Sequence, residues 1–234
     1  MRRSTEPEMM DLPGQPRELL MGDLRNLRLI NRYLGSYRNV LCGLARLVNE
    51  ANMRNFTLLD VGTASGDIPK VIVVWARSHG ITVRVSALDR DQVSVEQAAK
   101  QTEGYDEISL LRGDAMAPPF ARASFDFVLV SQLLHHFSDD QIVAGLRIWA
   151  RLARRAIIIS DLVRHPLAYH GIRLLTKSLT RNPMTRTDAH RSVQRACTIA
   201  EWRDLFRRAD VGNAHVEQAM PFRVLGLISL RQAS

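Results

Sequence analysis

The chain has 234 residues, enough for one α/β domain with a modest extension and a sizeable buried core. Apolar residues make up 46% and charged residues 24%, as in an ordinary globular protein, and no apolar run is long enough to cross a bilayer. Two cysteines, Cys42 and Cys197, exclude a disulfide framework, and no apolar stretch follows the basic start, so a cytoplasmic protein without a signal peptide is expected.

The net charge of +8 raises the question of a nucleic-acid partner. The arginines, however, are spread along the chain at about one per helical turn. The densest group, Arg147, Arg151, Arg154 and Arg155, follows a helix whose C-terminal end it complements. A solvated basic surface is therefore expected rather than a nucleic-acid footprint.

Residues 1–16, rich in Pro, Glu and Met, read as a loose lead-in. From Arg17 to about Asn52, Leu20, Leu24, Leu27, Ile30 and Leu34 and then Val40, Leu41, Leu44, Leu47 and Val48 recur at helical spacing, with Gly35-Ser36 as the break. The period then changes. Short apolar strands are predicted at 56–61, 82–88, 108–111, 125–130 and 156–160, with helices at 68–77, 92–101 and 139–150. Such alternation implies a parallel sheet covered on both faces. The chain then turns helical. Thr198 and Glu201 form a capping pair, and 214–218 and 222–230 read as a hairpin around Met220-Pro221. The predicted organisation is an N-terminal helical cap over 1–52 and an α/β domain over 53–234, with a helical lid at about 166–196.

The informative segment is Asp60-Val61-Gly62-Thr63-Ala64-Ser65-Gly66-Asp67. A strand, a glycine turn and a helix N-terminus let backbone approach a ligand closely. Asp89, followed by Arg90, ends the second strand, where a carboxylate can bind a ribose hydroxyl. Asp114 and Ala115 follow the third strand, where an adenine edge can be read. A dinucleotide G-x-G-x-x-G would need glycine at 64 and 67; these are Ala64 and Asp67. An acidic group at 67 repels a pyrophosphate but tolerates an ammonium. Taken singly, each residue also reads as structural: Gly62 and Gly66 as turn formers, Asp67 as an N-cap, Asp89 and Asp114 as loop carboxylates bonding their own backbone. Together they fall at successive C-terminal strand ends, the edge where open α/β sheets bind ligands.

The run 60–66 resembles the first motif of class I S-adenosylmethionine (SAM)-dependent methyltransferases, an acidic residue followed by G-x-G-x-G, with Ala64 in place of the middle glycine. Asp89, Asp114 and 125–137, which include Ser131, His135 and His136, resemble the later motifs in order. The resemblance covers about residues 55–165. It implies a Rossmann-like, seven-stranded, mostly parallel sheet with an antiparallel C-terminal strand. It implies a site for SAM and its product S-adenosylhomocysteine: Asp60, Gly62, Thr63, Ala64 and Gly66 at the methionine portion, Asp89 and Arg90 at the ribose, and Asp114 and Ala115 at the adenine, with Ser131 beside them. More narrowly, the chain resembles small-molecule methyltransferases of the ubiquinone/menaquinone type and of bacterial phenolic polyketide pathways, through 8–11, 31–35 and 161–169. A phenolic, quinol or polyketide-like acceptor is expected, methylated on oxygen or carbon by a monomer or homodimer. The alternative is an RNA methyltransferase, which the segment after the fourth strand, Ser131-Gln132-Leu133-Leu134, does not favour. A cofactor-binding module without catalysis is the third reading.

A hydroxyl nucleophile benefits from a base that titrates near neutrality. His135 and His136 follow the fourth strand and His165 the fifth, so these three are the candidate bases, each also readable as structural. Arg32 is the candidate partner for the cofactor carboxylate. No cysteine pairs with these histidines in a metal spacing, so no metal is expected. Leu174, Leu175, Leu179 and Met184, with an arginine rim of Arg173, Arg181, Arg186, Arg191 and Arg195, are expected to cap an apolar acceptor.

Overall fold

The structure, a computed structural model, describes residues 1–231. Two helices, α1 (Arg17–Tyr33) and α2 (Ser36–Glu50), precede the sheet. Then come β1 (Asn55–Val61), α3 (Asp67–Ser78), β2 (Thr82–Asp89), α4 (Gln92–Gln101), β3 (Ile108–Arg112), β4 (Phe125–Ser131), α5 (Asp139–Leu152) and β5 (Ala153–Leu162). Helices α6 (Pro166–Leu179) and α7 (Pro183–Arg195) follow β5, and α8 (Ile199–Ala209), β6 (Gly212–Ala219) and β7 (Arg223–Leu230) complete the chain.

The strand order is β3-β2-β1-β4-β5-β7-β6. β1 to β5 are parallel, and β7 runs antiparallel to both β5 and β6. The fold is therefore the Rossmann-like seven-stranded sheet that the sequence implies. The chain leaves β1 toward β2 and β3, then returns to place β4 on the other side. The C-terminal ends of β1 and β4 thus border the crevice where strand order reverses.

Both faces of the sheet are covered, so its central strands are apolar throughout rather than alternating. Leu59, Val61, Val128, Val130, Ile157 and Ile159 pack with Trp149 of α5 and Trp202 of α8. The intervening Leu58, Phe127, Leu129 and Ile158 pack with Val40 and Leu44 of α2 and Ile72 and Val73 of α3. Capping boxes start α5 (Ser138 with Gln141) and α8 (Thr198 with Glu201), each satisfying two otherwise orphaned helix-end amides.

The structure extends the reading in one place and corrects it in another. β5 begins at Ala153, three residues ahead of the apolar run, because Ala153 pairs with Phe125 before a bulge. The first 16 residues are not a loose lead-in. The Ser4 amide donates to the Gln194 carbonyl at 3.0 Å, and the Met9 and Met10 amides donate to the two Asp188 carboxylate oxygens at 2.8 and 3.0 Å. Glu8 is buried at 2% exposure. Apart from a single 3-10 turn at Met9–Asp11, the segment is irregular and held by tertiary contacts of backbone and side chains, so it carries no periodicity for a sequence reading to detect.

Candidate active site

The turn after β1 is built from left-handed residues. Gly62, Ala64 and Gly66 have φ of +77°, +50° and +71°. The Gly62 and Thr63 amides donate to the Leu88 carbonyl at 2.8 and 3.0 Å, which fastens the turn to β2. A side chain at 62 would place its Cβ 3.0 Å from Leu133, and one at 66 would meet the Ala98 Cβ at 3.0 Å. Glycine at these two positions lets the turn pass under the segment after β4 and lets α4 approach. At Ala64 the same backbone conformation is adopted without glycine, at a cost of roughly 1–2 kcal/mol.

Three carboxylates surround this turn. Asp89 accepts from the Ala64 amide at 2.8 Å and the Asp91 amide at 2.9 Å. Asp67, buried at the start of α3, accepts from Asn31 Nδ2 at 3.0 Å, the Tyr37 hydroxyl at 2.9 Å and Ser65 Oγ at 3.2 Å. Asp60 is fully enclosed; burial, and then the charges of Asp67 and Asp89, push its carboxyl up to about 7. Its Oδ2, Thr63 Oγ1 and Ser131 Oγ are buried without a hydrogen-bond partner among the described residues. Unpartnered buried polar atoms cost free energy, about 1–3 kcal/mol each, unless a ligand satisfies them. A ring of carboxylates suits the ammonium of an amino-acid cofactor and opposes a pyrophosphate, so the donor set fits SAM.

After β4 the chain makes a short 3-10 turn, Leu134–His136. Asp161, near the end of β5, accepts from the Leu134 amide at 2.9 Å, and its other oxygen lies 2.7 Å from His135 Nδ1. His135 and Asp161 are both buried; against the cost of burial, the His135 charge holds the Asp161 carboxyl below its usual range. His136 Nδ1 lies 2.7 Å from Asp11 Oδ2 in the N-terminal segment. Arg195 of α7 clasps the whole turn, donating to the His135 carbonyl at 3.0 Å, the His136 carbonyl at 2.7 Å and the Glu6 carbonyl at 2.6 Å.

A cavity of about 390 Å³ opens at this edge. Its lining includes Gly62, Thr63, Ala64 and Ser131, the cluster of Glu8, His135 and His136, and Leu162, Phe222 and Arg223. Thus four of the predicted cofactor residues and two of the three predicted bases are brought together. Asp60 and Gly66 belong to the same turn but do not line the cavity. Asp89 is turned into the glycine turn. Asp114 is exposed and bonds the Met116 amide at 2.8 Å, the Ala115 carbonyl accepts from Trp149 Nε1, and Arg90 is exposed and pairs with Asp11 at 3.2 Å. Asp11 therefore bridges Arg90 beyond β2 and His136 beyond β4, so the N-terminal segment spans the switch crevice.

Two candidates fall elsewhere. His165 caps α6, accepting from the Leu167 amide at 3.2 Å and stacking on Phe222, and does not line the cavity. Arg32 is exposed and lies over Tyr33 on the outer face of α1. One helical position earlier, Asn31 points inward; a 100° step per residue separates the two outcomes. In α6 and α7, Leu175 lines the cavity and Met184 is core, whereas Leu174 and Leu179 are 69% and 73% exposed. Arg195 is the buried clasp, not part of a rim. The sequence reading missed Glu8 and Arg223, which nothing in local pattern marks. Arg223 is 1% exposed, its Nε donates to the Leu34 carbonyl at 2.7 Å, and its Nη1 is buried without a partner among the described residues.

Strand order, switch crevice and acid-ringed glycine turn are the features that the resemblance to SAM-dependent methyltransferases implies. Residues 58–156 match the family model described as a methyltransferase domain. It is 32% identical over 83 residues to demethylmenaquinone methyltransferase of Bacillus licheniformis, a match spanning 36% of this chain and 34% of that protein. It is also 32% identical over 112 residues to the methyltransferase GfsG of Streptomyces halstedii, spanning 47% and 39%. These matches thus cover about a third to two fifths of the relatives' lengths. The fold superposes on the plantazolicin methyltransferase BamL, solved with a triazolic desmethylPZN analog and SAH, at a TM-score of 0.68 and 15% identity, covering 92% of this chain and 97% of that one. Among the described residues no helix is long and apolar enough to cross a membrane.

Proposed function

We propose that this chain transfers the methyl group of SAM to an oxygen or carbon of a small, largely apolar acceptor of the phenolic, quinol or polyketide-like class. The observation that carries this reading is the cavity itself. Its lining joins the glycine turn and two histidines to apolar side chains of α1, α6 and α7. SAM supplies an electrophilic methyl on a sulfonium sulfur. The protein's part is to hold an acceptor in line with it in a site shielded from water, worth up to roughly 7–11 kcal/mol.

The side chains divide that work. Asp60, Thr63 and Ser131 offer the unpartnered polar atoms at the cofactor end. Ile30, Ile172 and Leu175 shape the acceptor end. His135 Nε2 lies 3.6 Å from Glu8 Oε1 and His136 Nε2 3.9 Å from Glu8 Oε2, so protons from an acceptor hydroxyl have three adjoining groups to reach. Arg223, whose guanidinium burial lowers to about 10, gives the far wall a cationic group and favours acceptors with a carboxylate or acidic hydroxyl there.

An enclosed chamber does not suit a polynucleotide. Many of the arginines behind the +8 charge are paired with carboxylates, as in Arg77–Glu107, Arg164–Glu201 and Arg208–Asp140. The test is a transfer assay with methyl-labelled SAM against naphthols, hydroxybenzoates and quinols in parallel with bulk RNA. Label in a phenolic acceptor, reduced about tenfold or more by Arg223→Gln for the carboxylate-bearing members, is the expected result. Label in RNA alone would overturn the reading.

A further inference from the structure

The geometry points to a divalent transition-metal site at Glu8, His135 and His136, on the wall of the acceptor cavity. One ligand atom from each lies within 4.8 Å of the others. Glu8 Oε1 lies 3.6 Å from His135 Nε2 and Glu8 Oε2 lies 3.9 Å from His136 Nε2, beyond ordinary hydrogen bonds and within the ~4.2 Å that two atoms each about 2.1 Å from one cation can span.

The surroundings are those of a prepared ligand set. Each histidine has its Nδ1 held by a carboxylate at 2.7 Å, His135 by Asp161 and His136 by Asp11. Those carboxylates fix the ring orientations and turn both Nε2 atoms toward Glu8, the outer-shell arrangement typical of metal-bound histidine. Ser192 Oγ, donating to Glu8 Oε1 at 2.8 Å, orients the third ligand. The site is dry: Glu8 and His135 are 2% and 4% exposed. An isolated carboxylate is costly there, and a cation offsets that cost.

Two histidines and one carboxylate suit Zn²⁺, Mn²⁺, Fe²⁺ or Co²⁺ and leave positions open. All three residues line the cavity. An acceptor hydroxyl bound to such a cation would be more acidic and be held as an oxyanion, its proton passing to the Glu8 oxygen that is not a ligand, with the histidines serving as ligands rather than bases. That role rests on the acceptor reading above; the site itself does not, since cation binding needs no acceptor. Cysteine spacing gave no reason to expect a metal, because the third ligand comes from the N-terminal segment.

The test uses the full chain without a histidine tag, titrated with Co²⁺ and followed by its visible absorption and by calorimetry, with Zn²⁺ as competitor. One Co²⁺ per chain is expected, with bands displaced by Zn²⁺. Glu8→Ala and His136→Ala should abolish the signal, and Asp11→Asn should weaken binding about 10–100-fold, with circular dichroism confirming the fold. His165→Ala should bind as the parent does. No Co²⁺ band, or a band that survives both Glu8→Ala and His136→Ala, overturns the proposal, whatever the methyl-transfer screen shows.

Discussion

The main-chain amide of Ala64 donates to Asp89 Oδ2 at 2.8 Å, tying the turn after β1 to the last residue of β2 before any ligand enters. The second oxygen of Asp89 holds the Asp91 amide, so one carboxylate fixes both the turn and the start of α4. Replacing Asp89 with Ala strands two amides and should cost about 1–3 kcal/mol of stability. SAM affinity should fall at least about tenfold, because the turn it anchors borders the cavity. Denaturant midpoints and calorimetric titration check the two effects separately. An Asp89→Ala protein that binds SAM as tightly as the parent would remove Asp89 from the site.

Ala64 carries the strain of its left-handed backbone, φ +50°. Glycine relieves that strain but enlarges the unfolded ensemble, so Ala64→Gly should change stability by no more than about 1 kcal/mol. Ala64→Val, branched at Cβ, should cost more than about 1 kcal/mol. Urea unfolding of the two variants checks this. Equal stability of Ala64→Val and the parent would contradict the geometry of the turn.

Asp60 sets a pH dependence. Its folded value of about 7 stands above the ordinary 3.8 because of burial. Between about pH 4 and pH 7 the folded chain keeps a proton that the unfolded chain has released. Stability therefore falls as pH rises through that window, by at most about 4 kcal/mol from this group. Asp23, pushed up to about 6 by burial, acts in the same direction. Asp161, with its lowered value, acts oppositely: its contribution is lost as pH falls below the ordinary range. Asp60→Asn should flatten the slope between pH 4 and 7 and be more stable than the parent at pH 8, while losing SAM affinity. Thermal unfolding across pH reads the first effect. An unchanged slope would show that Asp60 is not the titrating group.

Asp188 is the anchor of the N-terminal segment, through the Met9 and Met10 amides. Asp188→Ala should release that segment without unfolding the sheet. Limited proteolysis should then cut before residue 17 several times faster than in the parent. Cutting at the parental rate would mean that the Arg191–Glu6, Arg195–Glu6 and Arg3 contacts hold it unaided.

The sheet was legible because its signals are local. Apolar runs such as Ile157-Ile158-Ile159 and the caps at Ser138 and Thr198 mark strands and helix starts, and the order of Gly62, Asp89 and Ser131 marks strand ends. The far side of the site was not legible. Glu8 meets His135 and Arg223 meets Leu34 through tertiary contacts between segments distant in sequence, and neither belongs to a repeating pattern. Arg32 and Asn31 show the finer limit. Amphipathic spacing places α1 against the core but does not say which of two adjacent polar residues turns inward. His165 shows a related limit: a histidine after a strand end can cap the next helix as readily as face a cavity.

On the function proposed above, the acid-ringed turn 60–67 binds SAM. Calorimetric titration of the purified chain with SAM, S-adenosylhomocysteine and NAD tests it most directly. One site for SAM and for S-adenosylhomocysteine, no heat with NAD, and proton release on SAM binding below pH 7 that vanishes in Asp60→Asn are predicted. NAD binding in place of SAM, or no binding of either adenosyl compound, would contradict the account.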